Sequence, residues 1–136
     1  MKVTISQAQG QVPVTLLHVH GDLDAASYRD LIAKGQEAYD AGARYILLDL
    51  NDMPYMSSSG LVALHSIALM LRGEELPHPE AGWEAFRAID RDRDSGLQQR
   101  VKLLNPQPRV DRALETVGFK QFFEVHTDLT AAIASF

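Results

Sequence analysis

The chain has 136 residues, 46 % of them apolar, which suits one compact domain with its own core and is too apolar for a disordered segment. It has no cysteine, so disulfides, thiolate metal sites and cysteine nucleophiles are excluded. A net charge of −5 without a Lys/Arg cluster argues against nucleic-acid binding, and the lack of a span-length apolar run or a signal-peptide core leads us to expect a cytoplasmic protein without direct membrane insertion.

Residues 2–7 alternate, with Val3 and Ile5 on one face, and predict a first strand. Residues 12–20 are richer in β-branched and apolar side chains and predict a second, with a hairpin turn near Gly10. Gly21-Asp22-Leu23-Asp24 ends it, and Asp24 is placed to cap a helix reaching about Ala41. Tyr28, Leu31, Ile32, Gly35, Ala38 and Tyr39 fall near one face of that helix, and Gly42 is placed to stop it. Residues 45–50 are almost continuously apolar, as a central strand covered on both faces must be.

A turn containing Pro54 follows, then Ser57-Ser58-Ser59-Gly60, then a helix that is apolar nearly all round. Such a helix is either deeply buried or shows an apolar face to a partner. A serine before an apolar helix is most often a cap, its oxygen accepting a backbone N–H that the helix leaves unpaired. A helix start also stabilises negative charge, so a phosphate on one of these serines is electrostatically favoured there.

Residues 73–97 hold seven acids and three arginines, and so −4 of the net −5, together with Pro77, Pro79, Gly73, Gly82 and Gly96. This composition predicts an acidic insertion that projects from the domain rather than joining its core. Within it, Trp83, Phe86 and Ile89 recur every three residues, the spacing of a short amphipathic helix that either pins the insertion to the body or offers a second docking surface. Residues 101–104 predict a short strand broken by Asn105-Pro106. Val110, Ala113, Leu114 and Val117 follow helical spacing up to Gly118. Residues 122–125 predict a last strand, and Thr127 a cap for a final helix with Leu129, Ala132 and Ile133 on one face. The order is β-β-α-β-α-β-α-β-α with the insertion after the second helix, an α/β pattern that implies a mostly parallel sheet of four to five strands with helices packed on it.

Taken together, the Gly21-Asp22-Leu23-Asp24 turn, the strand Ile46-Leu47-Leu48-Asp49-Leu50, Ser58-Ser59-Gly60-Leu61, Leu103-Leu104-Asn105-Pro106 and Val117-Gly118-Phe119 resemble a STAS domain, and more narrowly a bacterial anti-sigma-factor antagonist. The resemblance covers residues 1–136 as a single STAS-like domain, apart from the insertion at about 73–97. It implies a regulatory protein whose strand-to-helix loop is phosphorylated on its first hydroxyl by a serine kinase that is also the anti-sigma factor. It also implies that the unphosphorylated form binds that partner and frees the sigma factor. Aligned on the Ser-Gly pair, Ser58 stands at the phosphoacceptor position and Ser57 replaces the family's preceding Asp. The implied partner-binding residues are Asp22, Asp24, Ser57, Ser58, Ser59, Gly60 and Leu61, and Asp52 is a candidate stand-in for the missing Asp. A phosphate adds about −1.5 to −2 of charge. At a helix start it stabilises the helix, so the expected switch is exclusion of the partner, not refolding.

Other readings are weaker. His18 and His20 share a strand face and could pair on a metal, but no third ligand is identifiable among His65, His78 and His126. Asp90-x-Asp92-x-Asp94 starts like a calcium loop, yet Ser95 and Val101 occupy the positions of its Gly and bidentate Glu. No Gly-x-Ser-x-Gly elbow or Walker loop is present, so no enzyme and no cofactor are expected. The competing function is an accessory STAS subunit of a lipid-transporting ABC complex or a stress-signalling assembly, which needs the fold and an interface but no phosphoacceptor.

Overall fold

A computed structural model describes residues 1–76, 82–92 and 96–136, with side chains at all of these but 82–84. The elements are β1 Lys2–Gln9, β2 Pro13–His20, α1 Tyr28–Asp40, β3 Ile46–Asp52, α2 Ser58–Leu71, α3 Gly82–Asp92, β4 Val101–Leu104, α4 Pro108–Thr116, β5 Val125–His126 and α5 Leu129–Ala134, with a 3-10 turn at Phe119–Gln121 before β5. The five strands form one sheet in the order β1-β2-β3-β4-β5. Only the β1–β2 hairpin is antiparallel. The parallel strands β2, β3 and β4 therefore end at the same edge, and the loops that follow them meet there.

Strand parity separates two cores. Leu17, Val19, Ile46, Leu48, Leu50, Val101 and Leu103 join Leu31, Leu64, Ile67, Val110 and Leu114 in the larger one, on the face covered by α1, α2 and α4. Val14, Leu16, Leu47 and Leu104 meet Ala132, Ile133 and Phe136 in the smaller. The continuous apolarity of β3 is thus explained, since both of its faces are buried. Gly35 lets α1 approach α2 closely, because a Cβ there would stand 3.1 Å from Ile67 Cγ1.

Four sequence expectations are corrected. Asp24 does not cap α1, because residues 24–27 form a turn first: the Ala26 N–H donates to Asp24 Oδ1 at 2.9 Å, and Ser27 becomes the N-cap residue. The last strand does not run over 122–125. Phe122 and Phe123 both enter the larger core, their rings 4.8 Å apart and nearly perpendicular, whereas neighbouring strand residues must point to opposite faces. The cap of α5 is Asp128, whose carboxylate accepts the Ala131 N–H at 2.8 Å, not Thr127.

Finally, the described part of the acidic segment does not project. The helix α3 packs on α2, and its Ala85 and Ile89 are buried, Ile89 within the larger core. Phe86 is exposed, the Trp83 side chain lies outside the described residues, and so do His78 and the calcium-loop positions Asp94 and Ser95. With α3 in place, α2 is buried along nearly its whole length, which accounts for its all-round apolarity. Among the described residues, no helix is long and apolar enough to cross a membrane.

Candidate functional site

The loop between β3 and α2 is held to the turn after β2 by backbone bonds. Leu23 and Met56 form a parallel bridge, the Leu23 N–H donates to the Tyr55 carbonyl at 3.0 Å, and the Ser57 N–H donates to the Leu23 carbonyl at 2.9 Å. Leu23 and Met56 are buried, which anchors both loops in the core and leaves their polar residues at the edge. The turn bearing Asp22 and Asp24 thus lies alongside the loop that leads into Ser58. The turn is itself rigid: Ser27 Oγ lies 2.9 Å from the Asp22 carbonyl and 3.0 Å from the Asp24 N–H.

Each serine has a distinct environment. Ser57 occupies the N-cap position in extended backbone, yet its side chain makes no capping bond. Its Oγ is buried with no hydrogen-bond partner. The Gly60 N–H, which a cap would take, is already held by the Ser57 carbonyl at 3.0 Å. Ser58 is the first residue of α2 and is exposed, and Ser59 is half-buried. Gly60 is buried against Met56 and Leu23, where an added Cβ would come within 2.5 Å of Met56 Cγ and 3.0 Å of Leu23 Cγ. Leu61 is also buried in the larger core. Of the predicted contact residues, Asp22 and Ser58 are therefore exposed and Asp24 half-buried, while Gly60 and Leu61 shape the loop from within.

The Asp52 carboxylate, the candidate stand-in for the family's Asp, pairs with His20 Nδ1 at 3.3 Å. His18 and His20 pair with separate carboxylates. His18 Nδ1 lies 2.9 Å from Asp49 Oδ2 and its Nε2 lies 3.0 Å from Ser6 Oγ, an arrangement that ties β1, β2 and β3 together across the sheet. Among the described residues, no group of three His, Asp or Glu is arranged to hold a metal ion.

Sequence reasoning missed the other wall of the site. A groove of about 410 Å³ separates the serine loop from α4, with Tyr55, Ser57 and Ser58 on one side and Arg109, Arg112 and Thr116 on the other. The Arg109 guanidinium lies 5.4 Å from the centre of the Tyr55 ring, a cation–π distance. The only signal available in the sequence was two arginines three apart on a helix. The opposite end of α2 carries a second polar cluster. His65 Nε2 is 2.9 Å from Asp92 Oδ2, and Arg72 bonds the same carboxylate at 3.0 Å. Burial pushes the His65 imidazole below its usual range, and the hydrogen bond to Asp92 only partly offsets this.

A five-stranded α/β domain that presents an exposed hydroxyl at a helix start, beside an acidic turn at the carboxyl edge of its strands, defines the class of this protein. The chain belongs to the STAS domain family, whose model matches residues 6–76. A relative in Bordetella bronchiseptica, named as the anti-sigma factor antagonist BtrV, is 26 % identical over 136 residues, which is 100 % of this chain and 95 % of that protein. The fold is shared with a crystal structure of an anti-sigma factor antagonist from Mycobacterium paratuberculosis, with a TM-score of 0.66 at 15 % identity over 98 % of this chain and 93 % of that one. It is also shared with the anti-sigma factor antagonist SpoIIAA in its unphosphorylated form, with a TM-score of 0.59 at 18 % identity over 96 % and 93 % of the two chains. SpoIIAA of Bacillus in its phosphorylated form gives a TM-score of 0.55 at 16 % identity, over 96 % of each chain.

Proposed function

We propose that this chain is an anti-sigma-factor antagonist, acting as one domain over residues 1–136 and working by binding rather than by chemistry of its own. Its partner is an anti-sigma factor of the serine-kinase type. The observation that carries this reading is the exposed Ser58 at the start of α2, held beside the Asp22–Asp24 turn by the Leu23–Met56 bridge. The relative's name and the phosphorylated form of SpoIIAA support it. Ser58, Ser59, Asp22 and Asp24 contact the partner, and Ser57, Gly60 and Leu61 set the shape of the loop. Phosphorylation of Ser58 places a dianion on this face. A docked partner would have to strip its water, so the modified form is released.

The test is intact-mass spectrometry after incubation with the cognate anti-sigma kinase and ATP, beside Ser58→Ala, with a pull-down of the same pair. One added phosphate, absent in the variant, together with binding of only the unmodified form, is the expected result. Binding without phosphate would make the chain a constitutive antagonist. Neither would turn the reading to an accessory subunit of a larger complex.

A further inference from the structure

We infer that α4 carries an arginine clamp for the phosphate on Ser58: Arg109 and Arg112 hold the phosphoserine of the same chain across the groove. The inference rests on Ser58 being the modified residue and concerns where the phosphate goes once attached.

The loop 53–57 leaves the sheet between two neighbours of opposite charge. On the β2 side is the turn bearing Asp22 and Asp24, bonded to the loop through Leu23. On the β4 side is the start of α4, tied to the end of β3 by a Gln107 Nε2 bond to the Asn51 carbonyl at 2.7 Å. Ser58 lines the same groove as Arg109 and Arg112. Their spacing of three places both on one face of α4.

Among the described residues, neither arginine has a carboxylate partner. Arg109 lies over the Tyr55 ring, and the Arg112 carbonyl accepts the Thr116 hydroxyl while its guanidinium makes no ion pair. The other cation on α4's flank is committed, since Lys120 pairs with Asp111 at 2.8 Å. A phosphate on Ser58 is repelled by the acidic turn and attracted by the arginine wall. Guanidinium groups meet phosphate with paired, charge-assisted hydrogen bonds, so an arginine pair is better suited here than lysines. The modified loop thus keeps its phosphate folded against α4, partly covered, and the face seen by a partner changes in shape as well as charge.

The experiment uses the full chain with phosphoserine installed at position 58 during translation, so that no kinase is needed. The second ionisation of the phosphate is followed by phosphorus NMR across pH 4–8, in the parent and in Arg109→Gln/Arg112→Gln. Both arginines are exposed, so the double variant keeps the fold, which its circular dichroism verifies. The start of α2 acts on the phosphate equally in both proteins, so the difference isolates the arginines. The expected result is a titration about one unit lower in the parent, the scale on which a nearby guanidinium shifts an acid. Equal titrations in the two proteins would overturn the clamp. Because the phosphate is installed directly, this outcome is independent of whether a kinase modifies Ser58, which the mass measurement decides.

Discussion

At the residue scale, Ser57 shows how a cap position and a capping bond come apart. The position matches the sequence reading, but the hydroxyl is buried and unpartnered while the backbone carbonyl takes the available N–H. A capping serine costs about 1 kcal/mol when replaced by alanine. A buried hydroxyl without a partner has the opposite sign, because its desolvation is uncompensated. Ser57→Ala is therefore expected to leave the thermal midpoint unchanged or raised, and a drop of the capping size would show that the hydroxyl does bond. Gly60 tells a simpler story. A methyl there overlaps the middle of the Met56 side chain and the branch of Leu23, both buried, so neither can swing away. Gly60→Ala is expected to cost about 1–3 kcal/mol in urea unfolding, the usual cost of overpacking. Neither result was legible in the sequence, where both residues were expected to bind the partner and nothing said what would stand beside them.

At the element scale, α3 is the element whose existence the sequence predicted and whose position it did not. Its three-residue spacing of large side chains is a local property, readable in any window. Its docking depends on Ile89 entering the core and on Asp92 meeting His65 and Arg72, residues 27 and 20 positions away. Charge composition suggested a solvated projection, and burial of one face outweighed it. Truncating Ile89 to alanine should cost about 2–4 kcal/mol. It should speed hydrogen exchange in residues 82–92 before it affects β3, which is buried on both faces. The His65 pair also imposes a pH dependence. The unfolded chain takes up its proton near the ordinary histidine value, and the folded one only at lower pH. The unfolded state therefore binds more protons in this window, and stability rises with pH. The contribution is fully present above about pH 6.5 and is lost as the pH falls from there through the folded value. Urea midpoints measured from pH 7.5 to 5 should fall in the parent and fall less in His65→Gln.

At the scale of the whole molecule, the proposed switch needs no change of fold. Ser58, the proposed phosphoacceptor, stands at the edge of the sheet, where a helix start favours the added charge and the cores lie behind it. The Ser58→Asp variant should therefore keep the parent's circular dichroism while losing about tenfold in affinity for the anti-sigma factor, roughly 1.4 kcal/mol. A refolded Ser58→Asp protein would contradict this. The order of strands and helices, the two-sided burial of β3 and a serine at the start of an apolar helix were legible in the residues alone. Each of these is carried by periodicity and turn chemistry within a few neighbours. That Phe122 and Phe123 share one core, that α3 lies against α2, that Asp52 pairs with His20, and that α4 sets two arginines across a groove from Ser58 emerged from the packed fold. These are relations between residues distant in the chain, and they are settled by which surfaces the sheet brings together, not by any local pattern.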